Sequence, residues 1–215
     1  MEATIKIMIY IHAFFGGIGL ISGIGNFILK KGNALHKYLG RIFSYSMVIS
    51  SLISLVVAML PNHNNLFLFL IGVLTIYMVL TGNRALTFKN KSKLKADYID
   101  ISISGIMLVT SVIMAALGII GLMQNVDNSI LYILFGSIGL SLTIKDFKNF
   151  RSFKENKKAW LKSHIGRMVG ALIASVTAFM VAGLHIGTLF VWIAPTVIGT
   201  AYIIYWTRKL KTTSN

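Results

Sequence analysis

The chain has no cysteine, only two prolines and only six acidic residues in 215. Without cysteine there is no disulfide framework, no thiolate metal site and no iron–sulfur cluster, and the redox compartment stays open. Charge of either sign is scarce: 13% of residues are charged, against about 25% in a soluble domain. No Ser/His/Asp triad, Walker loop or dinucleotide fingerprint is present. The glycines between Gly16 and Gly25 mimic a fingerprint, but they lie inside an apolar run and follow no strand. No basic cluster precedes the first apolar run and no small-residue cleavage site follows it, so that run reads as a retained helix.

What is present is apolar. Hydrophobic residues make up 55% of the chain, and the mean hydropathy is +0.75. That composition predicts an all-α polytopic membrane protein in the lipid bilayer. Nothing marks a second domain, so residues 1–215 read as a single transmembrane helical domain. The net charge of +15 raises nucleic acid as a partner, but no soluble module is available to carry it. Cationic excess in a membrane chain gathers in cytoplasmic loops instead.

Seven segments are long enough to cross a hydrocarbon core about 30 Å thick. They are expected at Thr4–Leu29, His36–Leu60 (stopped by Pro61), Asn65–Phe88, Tyr98–Met123, Asn128–Phe147, Leu161–Leu184 and Gly187–Arg208. The loops between them alternate in charge. Three loops and the C-terminal tail hold 20 of the 21 basic residues, including Lys91, Lys154 and Lys157. The intervening loops, around Pro61–Asn64, Gln124–Asn128 and Gly183–Thr188, hold none. By the positive-inside rule the N-terminus is outside and the C-terminus cytoplasmic. The first three pairs of segments form similar hairpins, which suggests parallel repeats, although any run of short-loop hairpins looks alike.

Small and polar residues mark the faces that turn inward. His12, Gly16, Gly19, Gly23 and Asn26 share one face of the first segment. Ser46, Ser50, Ser54 and Ala58 line the second; Gly166, Gly170, Ala174, Ala178 and Ala182 line the sixth. Rows of this kind let helices approach closely, so the first, second and sixth segments are expected in the interior. Pro195 should bend the seventh. Trp160, Tyr205 and Trp206 read as interfacial residues on the basic side.

The candidate chemistry lies at that same basic end. His36 and Arg41 head the second segment, His164 and Arg167 the sixth, with Asp97, Asp100 and Asp146 close by on the fourth and fifth. Ionisable groups at membrane depth pair with one another and mark functional sites. His164 and Arg167 are three apart and share a face. His36 and Arg41 are five apart, about 140° round a helix, so the two heads are not strict copies. Several readings compete. His36 and His164 with an aspartate suit a metal ion, though no HExxH pattern supports it. Haem between helices is a second reading, but His164 and His185 stand about 31 Å apart along one helix, too far for one haem. A proton or anion path through His12 and Asn26 is a third. The leading reading gathers these groups into a cytoplasm-facing His/Arg/Asp pocket for a small ligand, metal or haem in the service of transport; an intramembrane metal or redox enzyme, and a non-catalytic accessory protein whose polar heads only anchor helices, are the alternatives.

One resemblance bears on class. His12, Lys31-Gly32, Leu35-His36-Lys37, Gly40-Arg41 and Met47, then Trp160, His164, Gly166-Arg167-Met168, resemble a family of predicted bacterial integral membrane proteins catalogued as a domain of unknown function. The resemblance covers the chain from His12 to about Phe179. It implies a multi-helix architecture in a bacterial cytoplasmic membrane, and it implies no activity.

Overall fold

A computed structural model describes residues 2–90, 93, 95–152, 158–186 and 188–212. Seven long helices appear: α1 (Glu2–Ile28), α2 (Ala34–Val57), α3 (Leu66–Ala85), α4 (Tyr98–Met123), α5 (Ser129–Ser152), α6 (Ala159–Ala178) and α7 (Leu189–Thr212). All seven are long and apolar enough to cross a membrane, and no strand occurs among the described residues. A 3-10 turn, Leu86–Lys89, extends α3, and a π turn, Phe179–Gly183, ends α6.

Local chemistry sets the helix ends. Asn33 caps α2, its side chain accepting from the His36 N–H at 2.7 Å. The helix therefore opens two residues before the expected His36, which falls in its first turn. Asn65 caps α3 in the same way. Asp97 and Asp100 cap α4 reciprocally, each carboxylate accepting from the other's backbone N–H. α2 closes at Val57, short of the expected Leu60, and α5 runs to Ser152, beyond the expected Phe147. Pro195 lies inside α7. The expected start of the seventh helix at Gly187 falls outside the described residues, as do Lys91, Lys154 and Lys157.

The small-residue face of α1 turns to α2. A Cβ on Gly16 would stand 3.3 Å from the Ser50 hydroxyl, and one on Gly23 would press on Phe43 of α2 and Leu172 of α6. Helices 1, 2 and 6 therefore do meet. The centre of the bundle is a different helix. Half of the apolar window of α3 is buried, against 17% of that of α1. Leu74, Tyr77, Met78 and Val79 of α3 form the core with Phe43 and Met47 of α2, Met107 of α4 and Ala171 of α6. The expectation that α1 is an interior helix is corrected accordingly: Tyr10, Phe14, Ile21 and Ile28 leave its other faces exposed. The physical reason is that lipid is as good a solvent for these side chains as the bundle is. Apolarity does not rank helices by burial; close backbone approach and polar pairing do.

Close approach is most developed between α4 and α5. A Cβ on Gly136 would lie 2.8 Å from the Ala115 N and 3.1 Å from the Ser111 carbonyl oxygen, both backbone atoms that cannot swing away. At Gly17 a Cβ would meet nothing within 4 Å. Gly136→Ala is expected to cost about 1–3 kcal/mol by overpacking, read as a lower unfolding midpoint in a fixed detergent. Gly17→Ala should leave that midpoint unchanged. Equal midpoints for the two variants would contradict the packing described.

Candidate functional site

Three polar assemblies occupy the basic end of the bundle. The outermost caps α4. Arg84, in the last turn of α3, reaches across with its whole fork: Nε donates to Asp100, and Nη2 lies 2.7 and 2.6 Å from the two oxygens of Asp97. Lys93 Nζ donates to Asp97 at 3.0 Å and to Asp100 at 2.6 Å, and it lies 4.4 Å from the centre of the Phe88 ring. Two cations thus balance two carboxylates. The Asp100 backbone N–H, then Lys93 and Arg84, hold the Asp97 carboxyl well below the usual carboxylate range. These aspartates cap a helix, and each accepts from Arg84, Lys93 and a backbone N–H.

The second assembly is deeper, about 9–12 Å from the helix ends at 1.5 Å per residue. It takes one residue from each of four helices. Asp146 of α5 accepts from Tyr77 of α3 at 2.5 Å, from Ser104 of α4 at 3.0 Å and from Arg167 of α6 at 2.5 Å. Arg167 also donates to the Leu142 carbonyl at 2.6 Å, and its guanidinium carbon lies 5.2 Å from the Tyr77 ring centre. All four side chains are buried, none more than 4% exposed. The Arg167 Nε is buried without a partner, so its fork, unlike that of Arg84, is only half used.

The third assembly surrounds His36 and His164. His164 Nδ1 is 2.8 Å from the Gly82 carbonyl of α3, which can only accept, so Nδ1 carries the proton and Nε2 remains for another partner. His36 lies within electrostatic reach of both His164 and Lys31. Asn26 of α1 faces Gly40, one turn along from His36: a Cβ on Gly40 would be 3.3 Å from the Asn26 amide nitrogen. His36 Nδ1 and Asn26 Oδ1 are buried and unpartnered. The α6 backbone at Gly166 is open, with nothing within 4 Å of an added Cβ.

Not every expected residue joins these assemblies. Arg41 is exposed, because His36 belongs to the helix and five residues carry Arg41 to another face. His12 shares a face with Asn26 but stands about 21 Å away along α1, with Nδ1 2.9 Å from the carbonyl oxygen of Ser50. Asp97 and Asp100 belong to the cap and Asp146 to the deep assembly, so none completes a metal set with the histidines. Among the described residues no three His, Asp or Glu side chains gather to hold a metal ion. A cleft lined by Thr81, Arg84, Asp100, Asp146 and Ser163 has a volume of about 10 Å³, room for one water and far too small for a porphyrin.

Two members of the deep assembly escaped sequence reasoning, Tyr77 and Ser104. Helical spacing carried the signal for both. Tyr77, Thr81 and Arg84 recur at four and three residues on α3, and Asp97, Asp100 and Ser104 at three and four on α4. They are polar stripes of the kind that singled out His12 and Asn26. The chain matches no protein-family model, no curated protein and no solved structure.

The deep ion pair yields a thermodynamic test. Removing one partner leaves a bare charge in a low-dielectric interior, at a cost of about 3–5 kcal/mol, whereas an apolar pair of similar volume is tolerated. Asp146→Leu and Arg167→Met should each lower the unfolding midpoint strongly, and the double variant should recover most of the loss. Additive losses would show that the two side chains do not act as a pair.

Proposed function

We propose that this chain is a multi-pass protein of the bacterial cytoplasmic membrane, with its N-terminus outside. In this reading it binds a small polar ligand in a cytoplasm-facing pocket lined by His36, His164 and Asn26, in the service of transport. Arg167 stands one turn deeper on the face of α6 that carries His164, where it pairs with Asp146. The membrane and its orientation follow from seven apolar helices and the one-sided basic loops. The bacterial setting follows from the resemblance of the His–Gly-Arg heads.

One observation carries the binding reading: His36 Nδ1 and Asn26 Oδ1 are buried and have no partner, near a second imidazole with a free Nε2. Unpaired buried polar atoms are rare because each forfeits its hydration without return. Two of them on neighbouring helices mark a place where a partner belongs. The groups on offer are hydrogen-bond donors and acceptors next to the positive charge of Lys31, which suits a small molecule bearing acceptor oxygens.

Native mass spectrometry of protein extracted in mild detergent tests this. A bound small molecule is expected on the wild type and on Arg41→Ala, and is expected to be lost from His36→Ala and His164→Ala at unchanged membrane yield. A bare wild-type mass, or alanine variants that keep the molecule, would overturn the reading. A Soret band or a stoichiometric metal in the same preparation would redirect it to haem or metal. Orientation has its own check: a fluorescent protein fused after Asn215 should fluoresce, and a phosphatase fused there should be inactive. An active phosphatase would reverse the topology.

A further inference from the structure

We propose that Asp146 is an intramembrane proton-exchange site, loaded from the basic face through the water-sized cleft that it shares with Asp100. This goes beyond the ligand pocket and does not depend on it. The argument starts from the partners of each carboxylate. Asp97 and Asp100 accept from a guanidinium, an ammonium and backbone N–H groups. Those partners can only donate, so a proton placed on either carboxylate would face a donor. Asp146 is built differently. Its Oδ1 meets Arg167, but its Oδ2 meets only two hydroxyls, those of Tyr77 and Ser104. A hydroxyl both donates and accepts.

Oδ2 therefore takes a proton without losing a contact. The Oδ2–H bond turns towards Ser104, which accepts it and passes its own hydrogen to the backbone carbonyl one turn back on α4, as serines in membrane helices do. Tyr77 continues to donate to a remaining lone pair of Oδ2. Arg167 keeps its contacts with the neutral Oδ1, the Leu142 carbonyl and the face of Tyr77, the first of which Asp146→Leu would remove. One proton enters from water at the basic face, no bond between heavy atoms changes, and the same proton leaves by the reverse step.

The route is the cleft of about 10 Å³. It holds one water-sized group, and Asp100 and Asp146 both line it, with Arg84, Thr81 and Ser163. The outer carboxylate joins the solvated Arg84–Lys93 cap, and the inner one lies in the bundle. The titratable and charged groups facing Asp146 are Tyr77 and Arg84 from α3, Asp100 from α4 and Arg167 from α6. Ionisable residues within membrane helices are the usual elements of proton relays.

The test is pH-difference infrared spectroscopy of the full-length protein in lipid nanodiscs. The wild type should show a protonated-carboxyl C=O stretch that grows as pH falls, shifts in heavy water and reverses on return. Asp146→Asn should remove that band, and Tyr77→Phe should keep it at a shifted frequency. Should Asp146→Asn fail to insert, Asp146→Glu is read instead, and the band must move. A wild type without the band throughout the pH range in which helix content is retained would overturn the proposal. So would a band that is unchanged in Asp146→Asn or Asp146→Glu. Either failure leaves the ligand pocket at His36 and His164 untouched, because that reading is scored by bound mass.

Discussion

Lipid offers a buried polar group no partner, so charges and hydroxyls within the bundle look for one in their own helix backbone or on another helix. The Asp146 assembly shows what that constraint produces. One carboxylate draws Tyr77, Ser104 and Arg167 from three other helices, and the four helices it joins enclose most of the buried core. Apolar contact between the same helices would do less, because lipid tails compete for it on equal terms. Polar pairing and close glycine contacts are what distinguish one arrangement of these seven helices from another.

The basic end grades from solvent to interior. At the rim, Arg84, Lys93, Asp97 and Asp100 neutralise one another and start α4. Further in, Asp146 and Arg167 form a single pair with one guanidinium nitrogen unused. Beside them, His164 hangs from the Gly82 carbonyl within electrostatic reach of His36. α6 connects the last two assemblies, since His164 and Arg167 lie one turn apart on it. α3 connects all three, through Tyr77, Gly82 and Arg84. A shift of α3 against α6 would therefore be felt at His164 and at the Asp146 carboxylate together. The packing of Gly82 against Met168 and the Cβ of Arg167 places a close contact between the two helices at that level.

Aromatic residues at the same depth secure the periphery. Tyr202 of α7 stacks on Phe27 of α1 with ring centres 3.7 Å apart, and Lys31 caps the end of α1 while lying over Tyr202 and Trp206. The Trp206 N–H is buried without a partner, close to the same lysine. α7 is the least buried of the seven spans, and these contacts tie its inner end to α1.

The sequence by itself determined the class, the number of spans, the clustering of basic residues at alternate loops and the inward face of α1. Each of these depends on composition or on periodicity along one helix, which a linear chain displays openly. Tertiary structure decided which helix is central and which polar residues meet. His36 and Arg41 look like neighbours in sequence, yet helical geometry turns Arg41 outward. Asp146 and Arg167 are 21 residues apart and Tyr77 and Asp146 are 69 apart, yet they bond directly. Such pairings depend on how helices are ranked about one another in lipid. Hydrophobicity is high on all seven and does not fix that ranking, since the most hydropathic span, α4, is less buried than α3; the few polar groups carry it only once they have found each other.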